Sequence, residues 1–367
     1  MLQPIQILRV LATMVLVAGA VALDQRASRA TAGPMAPQDT VIFERLGLQL
    51  VDPVTGEVRW HAENRRGVSG AVTTSDGVIF ASVAAADGGG TDVYAIPPGA
   101  ATPESIAHLP GWAIVEGLGA DGDRLYLVEF ANISAEGMIQ AATGVRDVLL
   151  PERWRGSAPA ATARRNTGGG VLSPDARRWY RMQSTRPDGT DELPKPELLV
   201  VTFAEGVPPS EERIPIPDAR GYTALLMAPD GSQLYVVDFL SQSVFTVEAE
   251  QGSVSKAVEF GQHPIKRPPC AAALSPLGDT LYVLGNSSNT VGDGVLAFDT
   301  TSWQPVGHFL PGQGLTCLAV SPDGNRLFAS AGSLVIIDAR TGEEQRRVAL
   351  SPIEGAKPNV VLVATTG

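Results

Sequence analysis

Cysteine is nearly absent from this chain: in 367 residues only Cys270 and Cys317 occur, too few and too far apart for a structural zinc site. No C-x-x-C or haem-attaching C-x-x-C-H is present. Histidine is equally scarce, with His61, His108, His263 and His308, and no H-E-x-x-H helix motif. The sequence also lacks a G-x-S-x-G nucleophile elbow and a phosphate-binding P-loop, which removes the commonest hydrolase and nucleotidase signatures. Basic residues are in the minority: 28 Lys+Arg against 39 Asp+Glu gives 28 − 39 = −11, the wrong sign for a general nucleic-acid binder. Charged residues make up only 18%, while 44% are apolar, so the chain can bury a core.

The amino terminus has an export pattern. Arg9 precedes an apolar stretch from Val10 to Ala22, ending in Ala20-Val21-Ala22, which suits signal peptidase. The stretch is shorter than the ~20 residues of a membrane-spanning helix. We read residues 1–22 as a signal peptide or short membrane anchor, 23–39 as a flexible Ala/Pro-rich linker, and 40–367 as the folded domain. The expected location is periplasmic, extracellular or on the outer side of the cytoplasmic membrane. The two cysteines can form one disulfide in such a compartment. The repeat register sets Cys270 opposite Thr316, however, and one residue of offset turns a strand side chain to the other face, so the pairing stays open.

An internal repeat organises the domain. Six segments place a tight turn between two apolar strands: VTTSDGVIFAS, GLGADGDRLYLVE, VLSPDARRWYRMQ, LMAPDGSQLYVVD, ALSPLGDTLYVLG and AVSPDGNRLFASA. Asp suits such turns because its carboxylate caps them, and Gly because it accepts positive φ. The aromatics that follow are Phe80, Tyr126, Tyr180, Tyr235, Tyr282 and Phe328, at separations of 46, 54, 55, 47 and 46 residues. That is the length of a four-stranded propeller blade. Adding one period to residues 315–320 predicts a further inner strand near 361–366, and residues 40–60 supply outer strands with no inner one before them. Joining both ends in one blade predicts an all-β, seven-bladed β-propeller with almost no helix.

The Ser-Pro-Asp-Gly turns followed by LYVVD, LYVLG and LFASA resemble the YVTN and WD40-like family of bacterial β-propeller repeats. The blade around 173–182 departs from the pattern, with Ala176 in the place of Gly and Arg177-Arg178 after it. Gly117-Leu118-Gly119-Ala120-Asp121-Gly122 matches a dinucleotide fingerprint by letter, but a strand follows where the fingerprint requires a helix. Such a resemblance implies architecture; propellers serve as enzymes, binding platforms and scaffolds alike.

Charge in the loops is asymmetric. The blade-to-blade connections carry Arg65, Arg66, Arg164, Arg165, Arg220, Lys266, Arg267 and Lys357, and in a propeller these connections surround one mouth of the channel. Guanidinium groups there suit a carboxylate, a phosphate or an acidic peptide. Acidic loops on the same face, including Asp188, Asp191 and Asp293, offer the plainer reading of solvated charge balance. The expected ligand-binding set is Arg66, Arg165, Arg220, His263 and Arg267, with Trp112 as an aromatic platform. No metal and no cofactor are expected. The expected function is an exported scaffold that binds a protein partner or an anionic envelope ligand. The alternative is a propeller enzyme of the lactonase or quinoprotein dehydrogenase kind, which would need a convergent polar set at the channel.

Overall fold

The computed structural model describes residues 40–44, 47–52, 54–63, 69–74, 76–85, 89–119, 121–131, 142–156, 165–166, 170–185, 195–221, 223–261, 269–285, 294–330, 333–349 and 359–364. The expected export segment and linker lie outside these residues. The fold is an all-β propeller, and its described helices are two three-residue 3-10 turns, Glu152–Trp154 and Pro269–Ala271.

The described strands fall into seven sheets. The first joins both ends of the chain: Asn359–Ala364 pairs antiparallel with Thr40–Glu44, followed outward by Gly47–Val51 and Val58–Glu63. The second runs outward through Ser69–Thr73, Ile79–Ala84, Gly90–Ile96 and Glu104–Pro110. The third has three strands, Trp112–Leu118, Arg124–Phe130 and Ala142–Leu149. The fourth, fifth, sixth and seventh sheets have four strands each and begin at Gly170, Thr223, Ala272 and Leu318. The two-residue strand Arg165–Asn166 belongs to the second sheet and makes it five-stranded.

Sequence pattern follows position within a sheet. Middle strands such as Gln233–Asp238 (QLYVVD) and Ser243–Glu248 (SVFTVE) are buried almost throughout, because each sheet packs between two neighbours. Outer strands such as Val254–Glu259 (VSKAVE) and Glu344–Ala349 (EQRRVA) are mostly exposed and charged, which protects a free edge from unwanted pairing. The strand that follows the GLGADG stretch is Arg124–Phe130, so no helix amino terminus is available there for a dinucleotide.

The repeated turns are held by short-range chemistry. Asp121, Asp175, Asp230 and Asp323 each accept a hydrogen bond through Oδ1 from the backbone N–H two residues on, at 3.0–3.1 Å. In the sixth sheet exposed Leu277 takes the Asp position, and Asp279 accepts from Ser275 Oγ at 2.6 Å, as Asp175 does from Ser173 Oγ in the fourth. The acid that ends the third strand works similarly: Asp52, Asp299 and Asp338 each accept the N–H groups two and three residues on. These bonds satisfy backbone donors that would otherwise be left without partners at the strand ends.

A second layer of contacts ties each sheet to the next. Tyr180 of the fourth sheet donates its hydroxyl to Ala249 O of the fifth, and Tyr282 of the sixth donates to Ala339 O of the seventh, at 3.3 and 3.4 Å. Beside Tyr235 of the fifth sheet stands the Thr300 side chain of the sixth. Burial pushes the Tyr180 and Tyr235 phenols up from their usual pKa. The proline of one turn also sits against the glycine of the next. A Cβ added at Gly231, Gly278 or Gly324 would fall 2.6, 2.7 or 3.1 Å from the Cδ of Pro174, Pro229 or Pro276. Proline and glycine therefore recur together because they meet across sheets.

Candidate functional site

In the third to seventh sheets the innermost strand starts at the end of the channel where the blade-to-blade connections arrive. Trp112, Gly170, Thr223, Ala272 and Leu318 open five of these strands, so the connections just before them surround one mouth. Of the residues expected to bind a ligand, Arg66, His263 and Arg267 lie outside the described residues. Arg165, Arg220 and Trp112 are described, and all three stand at this mouth or in the channel behind it.

Arg165 is on the inner edge of the second sheet. Arg165–Asn166 pairs antiparallel with Ser69–Thr73, Arg165 opposite Ala71 and Asn166 opposite Gly70. This strand also lies near the innermost strands of the first, third and fourth sheets, inside the channel. Upstream of it, Gly156 N–H donates to Gly122 O at 3.3 Å, at the turn end of the third sheet. The connection that the sequence placed at the rim of the mouth therefore enters the channel itself.

Arg220 is positioned by a carboxylate that the sequence reading missed. Asp238, fully buried at the end of Gln233–Asp238, accepts the backbone N–H groups of Arg220 and Gly221 through Oδ2, the latter at 3.0 Å. Its Oδ1 accepts Leu240 N–H and Ser241 N–H at 2.8 and 3.1 Å. Four donors satisfy the buried charge, and they fix the connection before the fifth sheet to the loop after its second strand. The Arg220 residue itself is exposed. A signal for Asp238 existed in the sequence: an acid ending the apolar run LYVV, which has little reason to be buried unless it holds backbone donors.

Trp112 is half-buried and packs against a cluster that includes Phe130, Ile114 and Trp179. Packing, then, accounts for much of its surface. Trp179 crosses from the fourth sheet to the third, meeting Phe130 edge-on at 5.5 Å and donating Nε1–H to Glu116 Oε1 at 3.2 Å. This explains a buried glutamate on an innermost strand, since a carboxylate in a core requires such partners. On the same strand as Trp179, burial pushes the Arg181 guanidinium below its ordinary pKa.

Cys270 and Cys317 form a disulfide, with a Cα–Cα distance of 4.9 Å. The one-residue offset does not prevent it, because Cys270 lies in the 3-10 turn Pro269–Ala271 and Cys317 precedes the strand Leu318–Val320. Strand alternation does not govern either side chain. The bond joins the mouth ends of the sixth and seventh sheets. Among the described residues no group of three or more His, Cys, Asp or Glu side chains has a metal-binding arrangement. His108 lies with Nδ1 2.7 Å from Asp92 Oδ1 on the neighbouring strand of the second sheet.

No family model matches the chain, and no curated protein matches it. Solved structures do. A Kuenenia stuttgartiensis hydrazine synthase chain is 16% identical with a TM-score of 0.51, over 83% of this chain and 94% of that one. A candidate 6-phosphogluconolactonase from Bacteroides uniformis ATCC 8492 is 15% identical with a TM-score of 0.50, over 89% and 99%. The likeness is one of fold. At such identity the propeller is shared, and neither protein's chemistry follows for this chain.

Proposed function

We propose that this chain is an exported, seven-bladed propeller of the YVTN and WD40-like kind, which binds an anionic group of a protein partner or envelope component at its basic mouth. The observation that carries this reading is the Arg165–Asn166 strand inside the channel. A propeller enzyme acting at its axis needs an open, water-excluding cavity there. Here backbone occupies that space along the second sheet, and the arginine-bearing connections remain for surface recognition. Arg220, held from behind by Asp238, supplies a fixed main chain beneath an exposed cation. Fixing the main chain before binding reduces the ordering cost of recognition.

Fluorescence anisotropy with a labelled ten-residue glutamate peptide and with anionic vesicles tests it, using the full chain and an Arg165→Ala/Arg220→Ala variant. Binding of one probe, weakened about tenfold in the variant and by added salt, is the expected result. Equal binding by both proteins removes the basic mouth as the site. Lactone hydrolysis or quinone-dependent oxidation by the purified chain would replace this reading with the enzymatic one.

A further inference from the structure

We propose that the groove at the turn end of the fourth sheet binds a linear polyamine, a small organic polycation whose ammonium groups are joined by short hydrocarbon chains. The groove has a volume of about 1240 Å³. Its walls come from three sheets: Tyr126 and Val145 of the third, Asp175 and Phe203 of the fourth, and Asp230 and Glu250 of the fifth. Pockets that enclose a drug-sized ligand measure about 300–1,000 Å³, so a flexible chain of about ten heavy atoms fits here with room for water. The groove lies at the end of the propeller opposite the basic mouth, and a ligand there is independent of one bound at the mouth.

Charge selects a cation. The basic side chains in the groove are already engaged: Arg178 donates to Ala249 O at 3.0 Å, and the Arg177 charge acts on Asp175. Asp147 is likewise paired with Arg124. Glu205, Asp230 and Glu250 line the groove, are exposed, and take part in no ion pair among the described residues. Hydrogen bonds from Ser232 N–H and Oγ hold the Asp230 carboxyl below its usual pKa, so it is ionised at neutral pH. Three uncompensated carboxylates contributed by two adjacent sheets give the groove a negative potential. A ligand with several linked ammonium groups meets more than one of them at once, and the second contact forms within the already bound molecule.

The rest of the wall selects an organic cation over a metal ion. Tyr126 and Phe203 are half-buried, and Val207 is 61% exposed, so the groove has aromatic and aliphatic surface beside its carboxylates. Hydrocarbon spacers gain by covering that surface, and an ammonium group gains by lying over an aromatic ring. A compact hydrated dication gains neither. It also needs several oxygen ligands converging on one point, and among the described residues no three His, Cys, Asp or Glu side chains are so arranged.

The test is isothermal titration calorimetry of the full chain with spermidine at physiological ionic strength, beside magnesium chloride. Saturable binding of one spermidine is expected, with magnesium about tenfold weaker or more. A Glu205→Gln/Glu250→Gln variant, changed only at exposed positions, is expected to lose about tenfold in affinity. A Glu57→Gln/Glu343→Gln variant removes the same charge from exposed turns of the first and seventh sheets, and is expected to bind spermidine unchanged. This pair separates the groove from the general attraction of a chain of net charge −11 for any cation. No saturable spermidine binding, magnesium binding as tightly as spermidine, or equal losses in the two variants would each overturn the proposal.

Discussion

The contact between the sixth and seventh sheets and the contact between the third and fourth are built from the same repeat and end differently. At the first, a disulfide ties the mouth end, Tyr282 bonds to Ala339 at the turn end, and Pro276 packs on Gly324. At the second, Trp179 and Glu116 tie the interior, but the turn end opens into a groove beside Tyr126. The sequence of that turn differs on both sides: Ala120 stands where Pro is usual, and Ala176 where Gly is usual. Neither half of the proline–glycine contact is present. The lesson is that a propeller seam closes through a few reciprocal side chains, and losing them together leaves a groove.

Four measurements sharpen or break this comparison. The largest effect belongs to the disulfide. It closes a loop with a sequence separation of 47, for which chain entropy gives a stabilisation of about 4 kcal/mol. Denaturant unfolding of a Cys270→Ala/Cys317→Ala variant should show that loss; an unchanged midpoint would remove the staple from the comparison. Next is Gly231→Ala. Its φ of 77° and the 2.6 Å approach to Pro174 Cδ should together cost about 3 kcal/mol. Ala176 already has φ 58°, so Ala176→Gly is expected to be stabilising by about 0.5 kcal/mol in the same assay. If both substitutions destabilised equally, crowding by the neighbouring proline would not be the distinguishing factor.

Smaller still is the tyrosine pair. Tyr282→Phe removes a hydrogen bond from a buried carbonyl and should cost about 1 kcal/mol, whereas Tyr126→Phe should cost close to nothing. Equal losses would mean that the third seam is as closed as the sixth. The smallest effect is on pH. Burial raises the Asp323 pKa, but hydrogen bonds from Ser321 and Asn325 and the Arg326 charge outweigh it, and the folded value is lowered. A lowered carboxylate pKa gives stability that is present above the unfolded value of about 3.9 and is lost as pH falls through the folded value. Acid unfolding of Asp323→Asn should therefore show a shallower fall below about pH 4. An unchanged slope would assign the acid sensitivity to other carboxylates.

Much of the fold was legible because its determinants are local. The turn aspartates act on an N–H two residues away, and the aromatic spacing reports the repeat length directly. The two long spacings were also visible, at 54 and 55 residues, but they have different causes. Between Tyr126 and Tyr180 the chain enters the channel as Arg165–Asn166; between Tyr180 and Tyr235 it extends the third and fourth strands to 10 and 9 residues. A spacing counts residues and says nothing about where they go. The candidate site was legible in part for the same reason. The ends of inner strands could be placed at one mouth, while for Asp238 the sequence showed an acid ending an apolar run but not its partners, four backbone amides that carry no side-chain signature.

By itself, then, the sequence determined the repeat, the turn chemistry, the buried and exposed strands and the pairing of the chain's two ends in one sheet. Each of these follows from contacts within a few residues or from a hydrophobic period that repeats. The tertiary structure alone decided that Arg165–Asn166 pairs inside the channel and that Cys270 reaches Cys317. Backbone donors on every strand edge are chemically alike, so which edge a short segment takes depends on what the assembled sheets leave accessible.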